Sequence, residues 1–123
     1  KSGENVIGIA PTGTGKTAAY LLPMLTQIKY AQGEQPRALV LAPTRELCMQ
    51  IEERAKMLSK YTNIRTAALY GGVGKKKQIE EWEANKGADI VVATPGRLMD
   101  MYKLLYVDFK KIKWHTWVTI YRT

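Results

Sequence analysis

Residues 10–17 read Ala10-Pro11-Thr12-Gly13-Thr14-Gly15-Lys16-Thr17, APTGTGKT, and the fold turns on how this stretch is read. Gly13 and Gly15 let the backbone turn so that successive N–H groups point inward, toward phosphate oxygens. Lys16 offers a point charge for the β- and γ-phosphates of a nucleotide, and Thr17 a hydroxyl for Mg²⁺. An apolar, strand-like run, Asn5 to Ala10 (NVIGIA), leads into the loop. A helical pattern from Gly15 to about Ala31 leaves it, adding the positive end of a helix dipole. The strict pattern G-x-x-x-x-G-K-[ST] has glycine where this chain has Ala10. That loss is tolerable if position 10 is the last strand residue with ordinary φ, because the glycines nearest the phosphate are the later two. The expectation is that Ala10, Pro11, Thr12, Gly13, Thr14, Gly15, Lys16 and Thr17 hold a nucleotide. Lys16 and Thr17 take the catalytic roles, and Thr17 the metal.

Working outward, strand-like runs alternate with longer helical patterns. Arg37 to Ala42 (RALVLA), Ile64 to Tyr70 (IRTAALY) and Asp89 to Ala93 (DIVVA) read as strands. Several are apolar at consecutive positions, as strands buried on both faces are. Gly15 to about Ala31 reads as a helix kinked at Pro23, where a backbone donor is absent. Glu46 to Lys60 is a second helix, with Leu47, Ile51, Ala55 and Leu58 on one face. Lys75 to Lys86 is a weaker third, with only Ile79 and Trp82 on its apolar side. This order implies an α/β domain, a parallel β-sheet with flanking helices.

Polar or glycine-rich loops follow four of the strands. After NVIGIA comes PTGTGKT, and after RALVLA comes Pro43-Thr44-Arg45-Glu46. IRTAALY is followed by Gly71-Gly72, and DIVVA by Thr94-Pro95-Gly96-Arg97. The carboxyl ends of parallel strands share one edge, where ligands bind. Thr44 and Thr94 sit where N-caps belong, and Pro95 at the first helical position that proline prefers. Helix starts of this kind expose N–H groups suited to a phosphate backbone, and Arg45 and Arg97 add charged donors. Gly71-Gly72 leaves room for a ligand backbone to come close. Such contacts hold sugar and phosphate without reading bases.

Taken together, these residues resemble the first RecA-like domain of DEAD-box ATP-dependent RNA helicases of superfamily 2. Ala10 to Thr17 resembles motif I of that family, a P-loop in which alanine at the first position is usual. Pro43-Thr44-Arg45-Glu46-Leu47 resembles motif Ia, Gly71-Gly72 the GG doublet, and Thr94-Pro95-Gly96-Arg97 motif Ib. The likeness covers about residues 1–113. It implies ATP with Mg²⁺ at motif I. It also implies RNA, single-stranded or duplex, gripped through its backbone at Pro43, Thr44, Arg45, Glu46, Gly71, Gly72, Thr94, Pro95, Gly96 and Arg97. Pro11 departs from the polar residue usual in the family.

Past Lys113 the likeness ends. The family continues into a strand ending in Asp-Glu-Ala-Asp, whose acids hold Mg²⁺ and polarise the attacking water. This chain reads Trp114-His115-Thr116-Trp117-Val118-Thr119-Ile120-Tyr121-Arg122-Thr123, and no carboxylate side chain follows Asp108. Its aromatic and β-branched residues still suit a strand. The expectation is a partial, incomplete RecA-like domain over 1–113 and a divergent tail over 114–123 that lacks the acidic motif. The upstream adenine-reading segment, the Ser-Ala-Thr motif and a second helicase domain are expected to lie outside this chain. Hydrolysis by this chain alone is not expected, and uncovered surface is expected to favour self-association.

Composition is consistent with this. The 123 residues are enough for one domain with a core. Nineteen Lys and Arg against eleven Asp and Glu give +8, a surface suited to polyanions. The longest apolar run, Ala18 to Leu25, falls far short of a membrane span. A single cysteine, Cys48, rules out an internal disulfide and suits a cytoplasmic setting. The first residue is not Met, and no secretory leader is visible, so an excised or processed piece is expected.

Two alternatives use the same residues. A non-enzymatic module would bind nucleotide or RNA without turnover. A small P-loop kinase would use the GKT but leave PTREL and TPGR unexplained. Cys48 reads as a core residue, Trp82, Trp114 and Trp117 as core or exposed by truncation rather than as rings that stack on bases, and Lys75-Lys76-Lys77 as a solvated helix start. An Arg97–Asp100 pair is expected as a local tether.

Overall fold

The computed structural model describes residues 9–11, 25, 28, 33–112 and 114–119, the first and last of these stretches as backbone only. Five strands form one sheet: β1 (Ile9–Pro11), β2 (Ala38–Leu41), β3 (Thr66–Leu69), β4 (Ile90–Ala93) and β5 (Trp114–Thr119). Their order is β1-β5-β2-β4-β3, and every neighbouring pair is parallel. Among the described residues, helices α1 (Arg45–Leu58), α2 (Lys75–Ala84) and α3 (Pro95–Lys103) connect or follow them. Leu25 and Ile28 are also helical.

Alternation along the strands divides the core between the two faces. On one face Ala38, Val40, Ile90 and Val92 meet Leu47, Cys48, Ile51 and Ala55 of α1, with Ile28 beside them. On the other, Leu39, Leu69, Val91 and Ala93 meet Trp82 of α2 and Leu98 and Met101 of α3. Burying each Val, Leu, Ile or Met side chain among them contributes about 1.5–3 kcal/mol. Strands β2 and β4 are covered on both faces, which is why they carry consecutive apolar residues. Cys48 and Trp82 lie in this core, as expected.

The starts of β2, β3 and β4 fall one or two residues inside the expected ones, because Arg37, Arg65 and Asp89 serve a different purpose; β4 ends at Ala93 as expected, and β1 runs one residue past Ala10, to Pro11. Asp89 is fully buried at the start of β4. It accepts from Arg37 Nη2 at 3.1 Å, from Arg65 Nε at 3.2 Å and from the Arg65 backbone N–H at 2.8 Å. This cluster ties together the amino-terminal ends of β2, β3 and β4, at what is here called the lower edge of the sheet.

The aromatic run past Lys113 forms β5, inserted between β1 and β2. The expected helix from Gly15 with its kink at Pro23 lies outside the described residues, apart from Leu25 and Ile28, as does the expected strand over Asn5 to Gly8.

Candidate functional site

Strand register defines the upper edge. Ile9, Trp117, Leu41, Ala93 and Leu69 form one row across the sheet. The next residues up are therefore Ala10, Val118, Ala42, Thr94 and Tyr70; the loops begin at the last three, while β1 and β5 pair for two residues beyond the row, to Pro11 and Thr119. Ala42 N–H donates to Ala93 O at 3.0 Å and Thr94 N–H to Leu69 O at 3.0 Å, fixing three of those loop starts against each other. Neighbouring strands lie about 4.8 Å apart, so β1 and β2 ends are roughly 10 Å apart and β1 and β3 ends roughly 19 Å apart. Two stretches of one edge result. The backbone of Ala10 and Pro11 marks one, and the loops after β2, β4 and β3 stand side by side in the other. Thr12, Gly13, Thr14, Gly15, Lys16 and Thr17 lie outside the described residues.

Pro43, Thr44, Arg45 and Glu46 are exposed at the start of α1. Thr44 is extended, and its Oγ1 accepts from Leu47 N–H at 3.2 Å. This side-chain cap contributes about 1 kcal/mol. Glu46 lies in the first turn, where a carboxylate complements the helix dipole. Arg45 reaches over Gly72: a Cβ placed on Gly72 would lie 2.5 Å from Arg45 Nη1. The sequence reading saved that space for a ligand, but the arginine already uses it. Gly72 also has φ +84°, while a Cβ placed on Gly71 would meet nothing within 4 Å.

Thr94 is extended and precedes Pro95 at the start of α3, but its hydroxyl makes no capping bond. Pro95 and Gly96 are exposed, and a Cβ on Gly96 would meet open space. Arg97 behaves otherwise. Its side chain is only 12% exposed. Nη1 donates to Val73 O at 3.0 Å and to Gln78 Oε1 at 2.6 Å, while Nε lies 3.8 Å from Asp100 Oδ2. Arg97 thus joins the start of α3 to the loop after β3 and to α2. The Arg97–Asp100 pair expected from the sequence is present, and Lys75 Nζ joins it 3.7 Å from the same carboxylate.

Gln78 is the site residue that sequence reasoning missed. It is 5% exposed, yet polar, and stands four residues before Trp82 on the inward side of α2. A glutamine on an apolar helix face is the signal that could have found it.

Electrostatics near the site favour neutral groups behind it. Burial, then the charge of Glu52, pushes the Cys48 thiol up to about 12. Burial also raises the Tyr70 hydroxyl, with Glu52 adding to the rise and Arg45 opposing it. Among the described residues no cluster of His, Cys, Asp or Glu suits a metal ion.

Comparison with known proteins agrees with this geometry. The family model for "DEAD/DEAH box helicase" matches residues 1–117. The chain is 50% identical over 107 residues to DEAD-box ATP-dependent RNA helicase 24 of Arabidopsis thaliana, covering 84% of this chain and 14% of that protein. It is 43% identical over 114 residues to DEAD-box ATP-dependent RNA helicase 20 of Oryza sativa subsp. japonica, covering 89% and 23%. The chain therefore spans less than a quarter of either relative. A solved structure of a hypothetical ATP-dependent RNA helicase from Sulfolobus tokodaii superposes with a TM-score of 0.72 at 30% identity, over 97% of this chain and 42% of that one. The parallel sheet is accordingly that of a RecA-like helicase domain. With the order of its loops matched across nearly its whole length, the chain belongs to the DEAD/DEAH box helicase family.

Proposed function

We propose that this chain binds ATP with Mg²⁺ at Ala10 to Thr17, and the RNA sugar-phosphate backbone at the loops after β2, β4 and β3. The observation that carries this reading is the strand register, which brings the start of the first loop and the whole of the other three to one edge. Family membership supports the same reading. In the RNA stretch, Thr44, Gly71, Pro95 and Gly96 are exposed and Thr94 is half-buried, with Arg45 as the charged donor. Arg97 acts there from beneath, by holding the loop after β3.

Lys16 balances charge on the nucleotide phosphates, and the backbone N–H groups of residues 13–17 orient them. The hydroxyl of Thr17 is an oxygen donor suited to Mg²⁺. When bound, that ion neutralises phosphate charge. Strand β5, between β1 and β2, offers no carboxylate in its sequence, so this chain lacks acids there to orient an attacking water. We therefore assign the family motifs to 1–113, treat 114–123 as divergent, and expect binding without useful hydrolysis. A second RecA-like domain is the partner that would complete the nucleotide site. No helix among the described residues is long and apolar enough to cross a membrane, and a cytoplasmic place remains part of the proposal.

Titration with fluorescent ADP and Mg²⁺, wild type against Lys16→Ala, tests the nucleotide half. Saturable binding lost in the variant is expected. Absence of binding in both would refute it. Sustained ATP turnover with RNA, abolished by Lys16→Ala, would refute the claim that this chain is catalytically silent.

A further inference from the structure

At the far end of α3 the structure carries a feature that nucleotide and RNA binding do not use. Leu105 has φ +64° and is 89% exposed. It follows the C-cap Leu104, and Tyr106 N–H returns to Met101 O at 3.0 Å, closing the helix end in the way a glycine usually allows. A leucine avoids the left-handed region, and its exposed side chain gains the fold nothing there. Further exposed apolar groups belong to the same helix end and the loop after it, where Leu105 N–H donates to Tyr102 O at 3.0 Å. Met99, Tyr102, Leu104 and Phe109 are between 36% and 47% exposed. Tyr102 and Phe109 stack with ring centroids 4.8 Å apart and 4° between planes.

This patch sits at the lower edge. Gln35, just before β2, donates to Tyr106 O at 3.1 Å and accepts from Asp108 N–H at 2.9 Å. The loops proposed to meet RNA are at the opposite end of the strands. Lysines flank the patch on its aromatic side: Lys103 follows Tyr102, and Lys110 and Lys111 follow Phe109, all exposed. On the Leu105 side a shallow cavity is lined by Glu34, Glu83 and Lys86.

We propose that Leu105, with Tyr102 and Phe109, forms a docking site for an amphipathic acidic segment of a partner protein. Its apolar side chains cover Leu105 and the aromatic pair, and its carboxylates face Lys103, Lys110 and Lys111. Charge complementarity selects the occupant, since the apolar surface is bordered by three cations on one flank and the chain as a whole is +8. Protein is favoured over RNA because three of the five exposed apolar groups are aliphatic, and the two rings already use one face each on one another. A partner held here leaves the upper edge free.

The test uses the 123-residue chain and a short fluorescein-labelled peptide with Leu and Phe at helical spacing and glutamates between them. A copy with lysines for glutamates is the control. The acidic peptide is expected to bind and its lysine copy not. Leu105→Gly is expected to weaken binding about ten-fold, as loss of a central apolar anchor does. Lys110→Glu with Lys111→Glu is expected to weaken it as well. Thermal melting of Leu105→Gly separates docking from packing: the melting temperature should rise, because glycine suits φ +64° better. A fall in melting temperature would make Leu105 a packing residue and overturn the proposal. So would equal binding of both peptides, no binding of either, or displacement of the peptide by oligouridylate with RNA binding weakened in Leu105→Gly.

Discussion

Arg97 Nη1 lies 2.6 Å from Gln78 Oε1 and 3.0 Å from Val73 O, so an arginine in the TPGR motif spends its guanidinium inside the protein. Gln78 is itself only 5% exposed, on the inward side of α2. The pair therefore acts as a brace between α2 and α3, holding the loop that contains Gly72.

Replacing Gln78 by Ala should expose this role. Removing the acceptor takes the shorter of two hydrogen bonds from a largely buried guanidinium and leaves it Val73 O, which costs about 1–3 kcal/mol. RNA affinity should fall as well, although Gln78 meets no RNA. Urea unfolding and anisotropy with labelled oligouridylate measure the two effects. Normal RNA binding in a destabilised Gln78→Ala protein would show that the brace does not position the loop.

The two glycines of the GG doublet should respond differently. Gly72→Ala puts a side chain at φ +84° and displaces Arg45. The left-handed strain is about 1–2 kcal/mol. Because the nearest atom is the end of a flexible side chain, the protein should fold, with Arg45 moved and RNA binding reduced. Gly71→Ala meets open space, and its stability should stay within about 0.5 kcal/mol of wild type. Equal destabilisation by both would contradict this placement.

Much of the fold was legible because it rests on local pattern. Consecutive apolar residues in RALVLA and DIVVA announced strands buried on both faces, and Leu47, Ile51, Ala55 and Leu58 announced α1. The upper edge was legible for the same reason, since loop chemistry followed strand ends. What the sequence hid depends on partners far along the chain. Arg65 and Asp89 are 24 residues apart, so their pairing could not be seen, and the strand limits drawn through them ran too long. Arg97 looked like a free cation because Gln78 and Val73 come to it only through packing of α2 against α3. Leu105 in a left-handed turn broke the glycine rule that would have announced the helix end.

Asp89→Ala should be the most damaging single change at the lower edge. It leaves Arg37 and Arg65, 17% and 26% exposed, without their shared buried carboxylate. Breaking one partner of such a cluster costs about 3–5 kcal/mol. Calorimetry should show a large drop in melting temperature. Asp89→Asn, which keeps the shape and two acceptor lone pairs, should lose less.

Cys48 gives a prediction in pH. Its thiol is raised from 9.0 to about 12, so between those values the unfolded chain loses a proton that the folded chain keeps. Stability should then fall as pH rises through that window. Tyr70, also raised, adds to the slope. Urea midpoints across alkaline pH should decline less steeply in Cys48→Ala. The same burial predicts slow reaction with thiol reagents at neutral pH, checked by rate of labelling.

Hydrogen–deuterium exchange of this chain with and without single-stranded oligouridylate tests the central claim most directly. The account predicts added protection at residues 42–47, 70–74 and 94–98, with none at the lower edge over 60–65, 85–89 and 104–109. Protection confined to the lower edge, or absent at all three upper loops while RNA is bound, would contradict it.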